Sequence, residues 1–151
     1  MEHTAYTCRR LGPESLESIE ELFFSVFSAE PWNDDWSDRE QLRLYMLDLL
    51  GQSNSLAYGL FEGETLLGAS LGQIRHWYTG TEYHIDELFI RTGQQGQGLG
   101  AFFLKEIESR IRALGFRRIF LLTSRDVPAY RFYQRNGFEE LNWQVSFTKN
   151  I

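Results

Sequence analysis

Cysteine occurs once in the 151 residues, at Cys8, so no internal disulfide can form. No apolar run is long enough to cross a bilayer, and Met1 to Arg10 lacks the apolar stretch of a secretory leader. A lone cysteine without a leader makes the cytoplasm the expected location, with no membrane partner. Basic residues are outnumbered, 15 Lys and Arg against 21 Asp and Glu, for a formal charge of −6. That balance disfavours a nucleic-acid surface, and no nucleic-acid partner is expected. Repeats, low-complexity tracts and linkers are missing too, so residues 1–151 read as a single domain. No metal is assigned.

Aromatic residues, by contrast, are plentiful: four Trp, seven Tyr and twelve Phe. They build either a bulky core or the walls of a pocket, and the second reading matters where rings lie beside acids. Along the chain, Tyr6 to Arg9 reads as a short strand. Leu16, Ile19, Leu22, Phe23, Val26 and Phe27 recur at helical spacing and predict a helix over Pro13 to Phe27, opened by its proline. Ser37 and Glu40 fit a capping box for a second helix that Gly51 ends. Ser55 to Phe61 and Thr65 to Ile74 are strand-like and joined at Glu62-Gly63-Glu64; Tyr83 to Ile90 is the next strand. A helix over Ala101 to Leu114, a strand over Arg117 to Thr123 and a short helix over Val127 to Asn136 follow. Trp143, Val145 and Phe147 alternate with polar residues and predict a half-buried final strand, open to pairing with a second copy. The fold class is therefore α/β of the α+β type, with a mixed sheet rather than a regular doubly wound one.

Between the strand ending at Ile90 and the helix at Ala101 lies Gln95-Gly96-Gln97-Gly98-Leu99-Gly100. Glycines let the main chain approach an anion, and the first-turn N–H groups of a helix lack internal partners and point at it. Gly96 to Ala101 even satisfies G-x-G-x-x-A. A dinucleotide site, however, needs that loop after the first strand of a βαβ unit and an acid ending the next strand, which here ends Leu121-Leu122-Thr123. No Gly-Lys-Ser/Thr follows, so a Walker-type loop is excluded.

Together with Ile85-Asp86-Glu87-Leu88-Phe89-Ile90 before it and Ala129-x-x-Phe132-Tyr133-x-x-x-Gly137-Phe138 after it, the loop resembles the GNAT superfamily of acyl-CoA-dependent N-acetyltransferases. Gln95, Gly98 and Gly100 match the pyrophosphate motif Gln/Arg-x-x-Gly-x-Gly/Ala. The resemblance implies a mostly antiparallel central sheet, splayed in the middle and flanked by helices, with acetyl-CoA or CoA as the bound carrier. It assigns pyrophosphate binding to the main chain of Gln95, Gly96, Gln97, Gly98, Leu99, Gly100 and Ala101. Leu88, Phe89 and Ile90 would offer backbone groups to the pantetheine arm. Gln95 and Gln97 are neutral where relatives often carry cations. Asp126 stands where relatives contact the cofactor through asparagine, and is expected to cap the helix at Val127.

Acetyl transfer requires a neutral amine, which for a lysine-like group of pKa near 10.4 costs roughly 4–5 kcal/mol at pH 7. A nearby carboxylate can take that proton. On a regular strand His84 and Asp86 share one face and Glu87 the other, but the family's strand usually carries a bulge that shifts the alternation. The resemblance assigns Asp86 and Glu87 as base and amine-binding pair, with His84 third; Leu121 closes the route through the following strand. It makes Tyr133 the general acid, with Tyr130 as fallback. The acceptor pocket would draw on Trp32, Asp34, Asp35 and Trp36, and on Trp77 and Tyr78; aromatic faces with carboxylates suit a cation. The alternative for that junction is a solvated acidic turn whose tryptophans pack into the core. Its acids and rings loosely resemble the aminoglycoside 6'-N-acetyltransferase branch. The expected activity is acetyl transfer to a primary amine of a small, aminoglycoside- or polyamine-like cation. The competing readings are acetylation of a protein N-terminus or lysine, and a non-catalytic acyl-CoA-binding module.

Overall fold

Five strands form one sheet in the order β1-β2-β3-β4-β5 in the computed structural model, which describes residues 5–151. The first four residues, part of the Met1 to Arg10 start, lie outside the described residues. The chain divides into two units, Met1–Leu121 and Leu122–Ile151.

In the larger unit, β1 (Tyr6–Leu11), β2 (Ser55–Glu62), β3 (Thr65–Trp77) and β4 (Gly80–Ile90) pair antiparallel, and β5 (Arg118–Leu121) runs parallel to β4. Two core clusters form. One joins α1 (Leu16–Phe27) and α2 (Arg39–Leu50) to the sheet through Ile19, Phe23, Leu42, Met46, Leu71 and Phe89. The other joins α3 (Leu99–Ala113) to it through Tyr83, Ile85, Phe103 and Ile107. The mostly antiparallel sheet with flanking helices is the expected architecture. Buried Glu20 ties α1 to α2 by accepting from Arg43 Nε at 2.6 Å. Deep in the sheet, Ser70 Oγ and Tyr83 Oη share a hydrogen bond of 2.8 Å, and Tyr83 donates to the Leu56 carbonyl at 3.1 Å.

Three local expectations are corrected. The second helix is capped not by Ser37 but by Asp38, whose carboxylate accepts from Gln41 N at 3.1 Å. The helix starts later than the capping box requires, and Ser37 N donates to Asp35 instead. In the smaller unit, α4 (Pro128–Arg135) has Val127 at its N-cap, so Asp126 is exposed and caps nothing. Pro128 in the first turn already removes one of the amides a cap would serve. The alternating stretch at Trp143, Val145 and Phe147 forms no strand, and all three side chains are exposed. Alternation becomes a strand only where a neighbour takes the main-chain hydrogen bonds, and residues 139–151 join no ladder.

Candidate active site

The ladder between β3 and β4 decides which way the acids face. Leu71 pairs with Glu87 and Gly72 with Ile85, which leaves Asp86 as an extra, unpaired residue. This bulge reverses the alternation. Tyr83 and Ile85 point to the α3 side and Phe89 to the α1–α2 side, so Glu87 joins the face it would otherwise have missed. Gly72 permits it: a Cβ there would run into the His84 carbonyl.

On that face Tyr45 of α2 donates to Glu87 Oε1 at 2.8 Å. The Tyr45 ring stacks on Trp36 with centroids 5.7 Å apart and planes 6° from parallel, and Phe23 meets both rings edge-on. Burial lifts the Glu87 carboxyl to about 7; the Tyr45 bond opposes the rise, while the negative charges of Asp86 and Asp34 add to it. Burial also holds the Tyr45 phenol well above its ordinary range, reinforced by the charge on Glu87, so it remains a donor. Asp86 is exposed, and partial desolvation raises its carboxyl against the pull of Arg75 and His84. His84 is engaged elsewhere: its Nε2 lies 2.8 Å from Glu82 Oε1, its ring 4.8 Å from Phe120. Glu82 accepts from Arg118 at 2.8 Å as well, which fastens the start of the β4–β5 ladder.

The junction before α2 divides. Trp36 packs beside Tyr45 with its indole N–H buried and without an acceptor, and Trp32 lies against Phe27 at 5.5 Å. Asp34 is exposed and acts on Glu87, whereas Asp35 accepts from Ser37 N at 3.0 Å. Trp77 and Tyr78 are not brought to Glu87. They stand exposed at the β3–β4 turn, where Trp77 pairs with Gly80, roughly 20 Å along the strand from Glu87 at strand rise. Tyr45 was the residue that sequence reasoning missed. It occupies an apolar position of α2, and only its hydroxyl, which must find a partner when buried, signalled more.

Beyond Ile85 the sheet opens. β5 pairs with β4 only from Glu82 to Ile85, so Asp86 to Ile90 have β3 on one side and no strand on the other among the described residues. Leu88, Phe89 and Ile90 lie on this open edge. The chain then enters the glycine loop. Gly96 and Gly98 take φ of 78° and 75°, left-handed values that favour glycine. Gly98 is the N-cap of α3 and carries no side-chain cap, which leaves the first-turn amides of Leu99, Gly100 and Ala101 to an outside acceptor. The two glutamines brace the loop: Gln95 Nε2 donates to the Ile90 carbonyl at 2.9 Å and Gln97 Nε2 to the Gly93 carbonyl at 3.4 Å. An uncapped helix start after a left-handed glycine fits a diphosphate, and an open strand edge fits an amide-bearing arm.

In the smaller unit Tyr133 lies on α4, with ring contacts to Phe132 at 5.3 Å and Phe138 at 5.2 Å. Tyr130 donates to Glu140 at 3.0 Å, and Arg125 donates to the same carboxylate.

The strand-free edge of β4 and the uncapped, glycine-led start of α3 suit a protein that binds an acyl carrier. The acetyltransferase (GNAT) family model matches residues 14–138, and the chain belongs to that family. It is an acetyltransferase, with acetyl-CoA as the acetyl source. Solved structures with the same fold include an aminoglycoside acetyltransferase from an uncultured soil metagenomic sample in complex with sisomicin. It is 21% identical, with 97% of each chain covered and a TM-score of 0.73. An aminoglycoside N-acetyltransferase in complex with CoA is 16% identical over 99% of this chain and 97% of that one, with a TM-score of 0.73. A possible acetyltransferase from Clostridium difficile 630 is 11% identical over 97% of this chain and 99% of that one, with a TM-score of 0.81.

Proposed function

We propose that this acetyltransferase acetylates a primary amine on a small, polycationic acceptor of aminoglycoside or polyamine type. One observation carries the reading. The β4 bulge sets Glu87, a half-buried carboxylate with a pKa of about 7, beside the stacked Tyr45 and Trp36 rings and within the field of Asp34 and Asp86. A base poised near neutrality suits removal of an ammonium proton, and the surrounding negative charge draws a cation. Aminoglycoside acetyltransferases among the proteins of similar fold support the same acceptor class.

In this reading Glu87 takes one proton from the acceptor ammonium. The freed nitrogen forms the amide bond as the bond from the acetyl carbon to sulfur breaks, Tyr133 gives the departing thiolate its proton, and the second proton lost by the nitrogen restores the Tyr133 phenol. Asp86 and Asp34 hold the cation without exchanging protons with it. The amides of Gly98 to Ala101 grip the diphosphate. A phenol hydroxyl is a donor that a thiolate can accept from.

The test is thiol release from acetyl-CoA across a panel of amines. Tyr133→Phe should keep CoA affinity and lose on the order of 10²-fold or more in turnover. Unchanged turnover would remove Tyr133 from the reaction. Equal activity on neutral and polycationic amines would overturn the acceptor class.

A further inference from the structure

Tyr45 has no part in the reaction above, yet its hydroxyl donates a hydrogen bond to Glu87. We propose that Tyr45 is a positioning residue for the general base, fixing the Glu87 carboxylate through its hydroxyl while its ring, stacked on Trp36, holds that hydroxyl in place. The inference rests on Glu87 being the base.

Geometry carries it. A phenol has two side-chain torsions, and here both are restrained by packing. Trp36 lies flat on one face at 5.7 Å, and Phe23 meets the ring at 5.9 Å with planes at 68°. The hydroxyl donates to Oε1 at 2.8 Å, which anchors that end of the carboxylate, and in the proposed reaction Oε2 takes the acceptor's proton. A carboxylate anchored at one oxygen presents the other in a fixed direction, which is what proton transfer over hydrogen-bond distance requires.

The bond also tunes the base. Hydrogen bonding to the ionised form favours it, and at Glu87 this opposes the rise caused by burial. The charges acting on Glu87 are Asp86 on β4 and Asp34 before α2; Asp48 on α2 acts on Tyr45, and Arg75 of β3 and His84 of β4 act on Asp86. Asp86 and Asp34 push the Glu87 carboxyl upward, so the phenol is the neighbour that keeps it ionisable near neutrality.

The experiment is the pH profile of kcat/KM for the full chain as wild type, Tyr45→Phe and Glu87→Gln, with one polycationic amine that the wild type acetylates. Phenylalanine keeps the ring stack and removes only the hydroxyl. The wild type should lose activity below an acidic limb near pH 7, and Glu87→Gln should abolish that limb along with most turnover. In Tyr45→Phe the limb should move up by about one pH unit, the scale of one charge-assisted hydrogen bond. Activity should fall roughly fivefold at pH 7 and recover toward the wild-type plateau at pH 9. A purely structural role would lower activity evenly and leave the limb in place. If Glu87→Gln loses the limb and Tyr45→Phe does not move it, the positioning role alone is overturned. If Glu87→Gln keeps both limb and turnover, the base assignment fails and the inference fails with it.

Discussion

Adjacent carboxylates one residue apart have different environments, and in the proposed reaction that separates their roles. Glu87 is half-buried and hydrogen-bonded to Tyr45, whereas Asp86 is the exposed residue of the bulge. A group that moves a proton must have its pKa near the working pH; a group that only attracts a cation need not. Asp86→Asn is therefore expected to raise KM for polycationic acceptors several-fold while leaving kcat within about twofold of wild type. That split marks loss of uniform binding. Steady-state kinetics with a monoamine and a polyamine checks it, the polyamine showing the larger change. A fall in kcat with unchanged KM would move Asp86 into the chemistry.

Strands and turns turn those residues into a site, and here glycines at two places do separate jobs. Gly98 supplies a left-handed backbone at the start of α3, and Gly72 supplies room opposite the bulge. Gly98→Asp places a side chain and a negative charge where the first-turn amides face outward. It should abolish CoA binding in calorimetry while the circular dichroism spectrum stays that of the wild type; normal CoA affinity would mean that the diphosphate binds elsewhere. Gly72→Val should spare CoA binding and cost on the order of 10-fold or more in turnover, because Cβ cannot coexist with the His84 carbonyl and the bulge must shift. Most elements were legible in the sequence, since apolar periodicity and glycine stops are local signals. The bulge was readable only through resemblance, because it depends on which residue of β3 faces β4 and no local pattern records that register. Tyr45 and Glu87 are 42 positions apart, and their bond exists only once α2 packs on the sheet. The alternation at Trp143 to Phe147 is the opposite case, a local signal without a hydrogen-bonding neighbour to realise it.

A folded protein that keeps a carboxyl near 7 does so at the expense of its own stability. In the unfolded chain Glu87 titrates near 4.5, and in the fold at about 7. Between those values the native state holds a proton that the unfolded state has released, so unfolding free energy falls as pH rises through this window. Below 4.5 the group contributes no difference, and above 7 the whole effect is felt. A shift of about 2.5 units corresponds to about 3 kcal/mol. Glutamine at this position keeps the shape and an acceptor for Tyr45 but has no charge to desolvate. Glu87→Gln is thus expected to unfold at nearly the wild-type urea concentration at pH 4.5 and to be more stable than wild type by about 3 kcal/mol at pH 8, while being catalytically poor. The quantity to measure is the difference between the two proteins at each pH, which cancels every other titrating group. A difference that stays flat from pH 4.5 to 8 would mean that Glu87 titrates as an ordinary surface carboxylate, and an ordinary carboxylate would be too weak a base for the proton it is asked to take.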